Sequence, residues 1–140
     1  MVAVAVAPFT LKDYTLQIET DSYEKAVSQV LFTPPSPSPL EWHGPIGSDF
    51  YDTIDQGQWT CQVDYAQDWT TATSLSRYLY DEAGETKSVV FKPSASTTGM
   101  PTFTVDVIIA HGPIGGPGRQ VATASVTMTC KAKPVLVPAA

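Results

Sequence analysis

Apolar and polar residues alternate along most of this chain, and this alternation predicts β-strands. The clearest case runs from Trp59 to Tyr65, where every second residue is apolar. A period of two residues is typical of a strand with one buried face. The same period recurs over residues 14–18, 87–93, 102–111 and 121–133. The predicted inward positions are Tyr14, Leu16, Ile18, Trp59, Cys61, Val63, Tyr65, Val89, Phe91, Phe103, Val105, Val107, Ile109, Ala122, Ala124, Val126, Met128 and Cys130.

Residues 23–33 are also predicted to be a strand, but with apolar side chains on both faces. The Pro/Ser run over residues 34–39 favours an extended, unpaired spacer. Leu40–His43 is predicted to be a short strand. Residues 44–58 show no periodicity and are predicted to be a long loop, although they contain Ile46, Phe50, Tyr51 and Ile54. A structureless loop of this length is uncommon and is often functional.

One segment changes to a helical period. Apolar residues at helical spacing over 71–83 predict a single α-helix, and they are Ala72, Leu75, Tyr78 and Leu79. Asp68, Thr70 or Thr71 is the expected cap, because these side chains accept from free helical N–H groups. Gly84 is expected to end the helix in the left-handed conformation.

These elements predict a mainly β, single-domain protein over residues 1–140. The expected architecture is two packed antiparallel sheets, as a sandwich or open barrel, with one helix. Residues 1–8 are expected to be an N-terminal arm, since the run has no basic start and is interrupted by Pro8. Residues 134–140 are expected to be a flexible tail. No segment is long and apolar enough to predict a membrane span.

Charge narrows the possible functions. The chain has a net charge of −6, and its eight Lys and Arg residues are scattered. Tight binding to DNA through its phosphates requires clustered basic groups, so this kind of DNA binding is excluded. The charged fraction is 16%, against about 25% in a typical globular protein. Low charge density favours extensive protein–protein contact, because interface cores are depleted of charged residues. A small, neutral β-sandwich is the simpler interpretation, and composition alone favours it.

Catalytic and metal-binding patterns are weak. His43 and His111 can be combined with Asp49 or Asp52, but zinc requires three or four protein ligands, and ordinary loop histidines are more frequent. Asp64 and Asp106 can be imagined as a glycosidase-like carboxylate pair, although solvated carboxylates on outward faces are the simpler interpretation. No cofactor motif is present. Cys61 and Cys130 are expected to be buried, reduced thiols.

A five-residue sequence occurs twice. Residues 43–47 and 111–115 both read His-Gly-Pro-Ile-Gly, and each copy follows a predicted strand. Proline and glycine favour a tight turn, which would present Ile46 in one copy and Ile114 in the other. Coincidence between two Pro/Gly loops is one interpretation. The other is that both tips make similar contacts.

Four segments together resemble the major tail tube proteins of long-tailed bacteriophages (siphophages). They are Tyr-Glu-Lys-Ala-Val-Ser-Gln-Val at residues 23–30, the segment 59–84, the stretch 102–116 ending in His-Gly-Pro-Ile-Gly-Gly, and residues 122–133. They are distributed over residues 23–133 in the order found in that family, without any catalytic signature.

The resemblance implies a structural, non-enzymatic virion protein without a cofactor. In the family, hexameric rings of two-sheet subunits stack into a hollow tube through which the genome passes. The implied partners are further copies of the chain and the other tail proteins (tail tip, tape measure, terminator). The implied location is the virion tail, assembled in the host cytoplasm. DNA would pass without specific binding, and no membrane partner is expected.

In this interpretation Asp64 and Asp106 are expected to face the lumen, where an acidic wall would repel DNA. Ile46, Phe50, Tyr51, Ile54 and Ile114 are the expected inter-subunit or inter-ring contacts.

Two alternatives remain open. One is a monomeric β-sandwich that binds carbohydrate or protein through Trp42, Phe50 and Tyr51. The other is a small β-barrel enzyme that uses the histidines and aspartates.

Overall fold

The computed structural model describes residues 2–55 and 57–139, and within them the fold is mainly β with one short helix. The ten strands form two antiparallel sheets, as the sequence predicts. The elements are β1 (Thr15–Ile18), β2 (Asp21–Ser22), β3 (Val27–Thr33), β4 (Ser38–His43), β5 (Phe50–Asp55), β6 (Thr60–Ala66), α1 (Leu75–Asp81), β7 (Thr86–Lys92), β8 (Thr102–Ile108), β9 (Thr123–Cys130) and β10 (Val135–Val137).

The larger sheet has the strand order β2-β1-β7-β8-β9-β6-β3, with β10 also paired to β8. This sheet curls so that strands far apart in the order meet. Phe32 of β3 packs on Phe91 of β7 with ring centroids 5.7 Å apart. The Tyr14 hydroxyl donates a 2.7 Å hydrogen bond to the Val27 carbonyl, joining the two ends of the sheet. The result is an open barrel around one apolar core.

The alternating pattern identified the core correctly. Cys61, Val63 and Tyr65 of β6 are buried, as are all four inward residues of β9 from Ala124 to Cys130. The helix covers the core with Leu75 and Leu79. The smaller sheet, β4 with β5, contributes nothing to this core, since every residue of both strands is exposed.

Strand β3 differs from its prediction. A register shift between Val27 and Gln29 breaks the pairing with β6, so Val27 and Val30 are both buried despite their odd spacing. A bulge of this kind inserts one extra residue and reverses the alternation. Leu31 is 46% exposed, so this strand is not covered on both faces.

The helix begins later than residue 71. Ser74 is its N-cap and accepts from the Arg77 amide. Asp68 instead accepts hydrogen bonds from Thr70 and Thr71 and so stabilises the turn before the helix. These hydrogen bonds lower the pKa of the Asp68 carboxyl below its ordinary value, and those from Thr71 make the largest contribution. Gly84 has a φ of 92° and lies just beyond the helix, as expected.

The two ends of the chain differ from one another. Residues 2–8 form no helix or strand, and Met1 lies outside the described residues. The expected flexible tail is wrong in part, because Val135–Val137 pairs with residues 102–104 of β8. The free edge of β8 beyond its short pairing with β9 provides partners for this strand. Ala140 is outside the described residues.

Substitution of Gly112 is expected to test how closely the loop after β8 packs on the core. A Cβ at Gly112 would lie 2.5 Å from the hydroxyl of Tyr65, which is buried. Gly112→Ala is therefore expected to cost about 1–3 kcal/mol of unfolding free energy, as overpacking does. Gly116→Ala is the matched control, because nothing lies within 4 Å of its added Cβ. Equal urea midpoints for the two variants would contradict this packing.

Candidate interaction surfaces

The most unusual surface is the hairpin formed by β4 and β5. The predicted loop over 44–58 is wrong for residues 50–55, which pair with residues 43–38 in continuous register. The connecting turn is short: the Gly44 amide donates to the Asp49 carbonyl at 2.6 Å, and the Asp49 amide donates to the Ile46 carbonyl at 2.8 Å. Of the residues assigned to the loop, Gln56 lies outside the described residues.

Both faces of this hairpin present apolar groups to solvent. Trp42 lies directly opposite Tyr51 on one face, and these side chains are 59% and 62% exposed. On the other face Phe50 lies opposite His43, with ring centroids 4.9 Å apart. Ile54 lies on that face too and is 56% exposed. A two-stranded hairpin is marginally stable in water unless something packs on it.

The hairpin is also acidic. Glu41, Asp49, Asp52 and Asp55 lie within residues 34–58, a stretch without lysine or arginine. Glu41 lies directly opposite Asp52, and like charges at opposite positions destabilise a strand pair. A partner surface that supplies positive charge would relieve this repulsion.

A second surface is the outer, polar face of strands β6, β9 and β8. Asp64 on β6 lies opposite Ser125 of β9, and the Gln62 side chain donates to both Asp64 and Ser125. Asp106 lies on β8, where the Lys131 amide donates to its carbonyl oxygen. Both predicted lumen residues therefore lie on this face.

Asp64 and Asp106 are not a catalytic pair. Strand β9 separates β6 from β8. The register places the two aspartates opposite positions 125 and 131, six residues and so about 20 Å apart along the strands. Glycosidase carboxylates lie within about 10 Å of each other. Lys131 and Lys133 line the same shallow cavity as Asp106, so the acidic character of this face is strongest near Asp64.

The third surface is a cleft beside the helix. Trp69, Arg77, Tyr80, Asp81 and Ile114 line it, and its volume is about 450 Å³. The rings of Trp69 and Tyr80 meet edge to face with centroids 6.2 Å apart. The sequence did not identify this cleft. The available signal was Tyr80, an aromatic residue outside the predicted buried stripe of the helix.

The two copies of the repeated pentapeptide differ in conformation but share one property. The first forms the hairpin turn, whereas the second is an irregular loop fixed to Gln67, whose side chain bonds both backbone groups of Gly115. Ile46 is 64% exposed and Ile114 is 66% exposed. Each copy therefore presents an isoleucine to solvent.

The two histidines considered as metal ligands have different neighbours in the fold. His43 contacts Glu41 and Phe50, whereas His111 contacts Tyr80. Residues 2–55 and 57–139 contain no cluster of three or more His, Cys, Asp or Glu side chains placed to hold a metal. Cys61 and Cys130 are fully buried free thiols. Burial, with the neighbouring Cys130, raises the pKa of Cys61 to about 12, so its reactive thiolate is suppressed.

Comparison with protein-family models and with curated protein sequences finds no match to this chain. Along the described residues, the single helix is too short to cross a membrane.

Proposed function

We propose that this chain is a structural subunit of a bacteriophage tail tube, which assembles into hexameric rings that stack around a channel for DNA. The observation that carries the proposal is the β4–β5 hairpin. Its strands bury nothing in the subunit, yet they present Trp42, Phe50, Tyr51 and Ile54. Large exposed apolar side chains on both faces of an element that packs on nothing in the subunit favour a protein–protein interface.

The free edges of the large sheet support self-assembly. Strand β3 pairs only with β6, and β2 with β1 forms the other end of the strand order. An unpaired edge is a template for further strand pairing. If one edge of each subunit meets the other edge of the next, the contact is heterologous and can close into a ring. Ring closure would remove both edges from solvent.

The polar face supports the role of a lumen wall. Ser125 and Thr127 are exposed beside Asp64 on this face. Neutral hydroxyl groups give DNA phosphates no fixed positive partner, and the Asp64 carboxylate repels them. DNA would then slide through the tube without binding. The subunit itself would have no catalytic role and no cofactor, and its other partners would be the remaining tail proteins.

Reversing charge on the polar face is expected to impair DNA passage while leaving tubes intact. The double variant Asp64→Lys/Asp106→Lys adds four positive units to this face, where phosphates would then bind and be released slowly. Most of the effect is expected from Asp64→Lys alone, because Lys131 and Lys133 already offset Asp106. The measurement is infectivity and DNA ejection of phage carrying each variant.

The control for this reversal is Glu85→Lys, an exposed change in the turn after the helix. Tubes of normal appearance with infectivity reduced about tenfold or more are the expected result for the double variant. Unchanged infectivity would rule out Asp64 and Asp106 as lumen residues.

Light scattering over a range of protein concentration tests the proposed assembly in solution. A subunit of 15.0 kDa is expected to give ring-sized and larger species as concentration rises. A constant monomer mass, retained when preformed tail tips are added, would contradict the proposal.

A monomeric binding module is the second candidate, because Trp42 and Tyr51 lie side by side on one exposed face of the hairpin. Exposed aromatic rings of this kind can stack on sugar rings. Quenching or enhancement of Trp42 fluorescence by oligosaccharides, in a protein that stays monomeric, would favour this second candidate.

A further inference from the structure

The cleft beside the helix has the properties of a docking site. Its volume of about 450 Å³ falls within the range of about 300–1,000 Å³ typical of ligand pockets. Two aromatic rings form its apolar part, and Arg77 and Asp81 provide one charge of each sign. Among the described residues, Arg77 has no acidic partner within ion-pair distance.

One wall of this cleft is the second copy of the repeated pentapeptide. Ile114 lines the cleft, and the His111 ring lies 6.1 Å from the ring of Tyr80. Gln67 holds the last residue of the copy through two hydrogen bonds of 2.8 and 3.0 Å. The second copy thus places a histidine ring and an isoleucine of this sequence beside Tyr80, in an irregular loop rather than in the hairpin turn of the first copy.

The first copy of the same sequence lies at the tip of the hairpin, with Ile46 exposed. The hairpin carries four carboxylates and no lysine or arginine, and one of these acidic residues, Asp49, closes the turn through its backbone amide and carbonyl. Within the described residues, Arg77 in the cleft has no ion-pair partner. Asp49 at the tip and Arg77 in the cleft therefore have opposite charges, and Ile46 and the two aromatic rings are both apolar.

We infer that the hairpin tip of one copy of this chain docks in the helix cleft of a second copy, with Ile46 packed against the outer surface of the Trp69–Tyr80 pair and Asp49 facing Arg77. Asp81 would accept hydrogen bonds from His43 or from backbone amides of the tip. This inference rests on the proposed self-assembly and names the two surfaces that meet. Because tip and cleft are different surfaces, the contact is heterologous and repeats from subunit to subunit.

Disulfide trapping between two singly substituted proteins tests the contact. Ile46→Cys protein is mixed with Asp81→Cys protein under mild oxidation, and covalent heterodimer is measured on a non-reducing gel. The natural thiols do not compete, since Cys61 and Cys130 are fully buried. The matched control mixes Ile46→Cys with Thr127→Cys, which is exposed on the polar face. Heterodimer is expected to form about tenfold faster with Asp81→Cys, because docking raises the local thiol concentration.

A charge exchange provides a second readout. Arg77→Glu is expected to raise the protein concentration needed for assembly about tenfold, because attraction becomes repulsion at the contact. Arg77→Glu combined with Asp49→Arg is expected to restore it. Failure of the double variant to recover any assembly, with both proteins folded, would overturn the pairing.

The outcomes separate this inference from the proposed function. Rings or tubes that form without trapping between Ile46→Cys and Asp81→Cys would overturn the docking contact and leave the tube proposal standing. A protein that stays monomeric at every concentration and gives no trapping would overturn both.

Discussion

Replacing Trp42 and Tyr51 together by serine is expected to raise the concentration required for assembly roughly 700-fold, since each of two interface aromatics contributes about 2 kcal/mol. These side chains are 59% and 62% exposed and face each other across the hairpin. Their removal takes nothing from the apolar core, so the thermal midpoint of the subunit is expected to change little. The measurement is sedimentation of assembled protein over a concentration series.

Two matched variants control for a general effect of the substitutions. Thr53→Ser changes the same face of the hairpin without removing an aromatic ring. Val121→Ser removes an apolar side chain that is 80% exposed but lies outside the hairpin. Both are expected to assemble like the unmodified protein. If the Trp42/Tyr51 double variant also assembled normally, the hairpin would not be the principal contact.

Truncation of Leu79 is expected to have the largest effect on stability. Leu79 is 1% exposed and joins the only helix among the described residues to the barrel core. Leu79→Ala is expected to lower the unfolding free energy by about 2–5 kcal/mol, the sum of lost transfer free energy and a cavity. With a urea slope of about 2 kcal/mol/M, the unfolding midpoint would fall by about 1–2.5 M.

The control for this truncation makes the same chemical change on the hairpin. Leu40 is 51% exposed on β4, so Leu40→Ala is expected to stay within about 0.5 kcal/mol of the unmodified protein. Similar urea midpoints for the two variants would show that packing of the helix on the core through Leu79 does not stabilise the fold. Comparing Leu79→Ala with Leu40→Ala also distinguishes an effect on stability from an effect on assembly, because only Leu40→Ala changes a surface proposed to be an interface.

The sequence predicted the core strands well because burial imposes a period of two residues. Strand β9 alternates without interruption from Ala124 to Cys130, and each predicted inward residue is buried. The helix was predicted through Leu75 and Leu79, but its start was placed too early. Several residues before it can cap, and only the tertiary structure shows that Asp68 stabilises a turn while Ser74 caps the helix.

Strand β5 could not be recognised by the same signal. Its residues Phe50, Tyr51 and Ile54 lie on both faces of a hairpin that buries neither face in the subunit, so no alternation develops. Strand β10 escaped prediction for a related reason, since its three consecutive apolar residues are all exposed. In a strand whose apolar groups face a partner, the spacing of apolar residues follows the interface and not the core of the subunit.

The candidate site residues were located by composition and not by geometry. Ile46, Phe50, Tyr51, Ile54 and Ile114 were selected as apolar residues in apparent loops, and all five are exposed. The helix cleft was missed because Trp69, Tyr80 and Ile114 are distant in sequence and meet only after folding. Asp64 and Asp106 lie on outward positions as predicted, but their strands are not adjacent, and their separation of about 20 Å required the register of β9.

Negative-stain electron microscopy of the purified protein at high concentration tests the central claim most directly. The proposed function predicts hollow rings or stacked tubes for the unmodified chain, and dispersed monomers for the Trp42/Tyr51 double variant under the same conditions. Dispersed monomers for the unmodified chain as well, which fail to extend preformed tail tips, would contradict it.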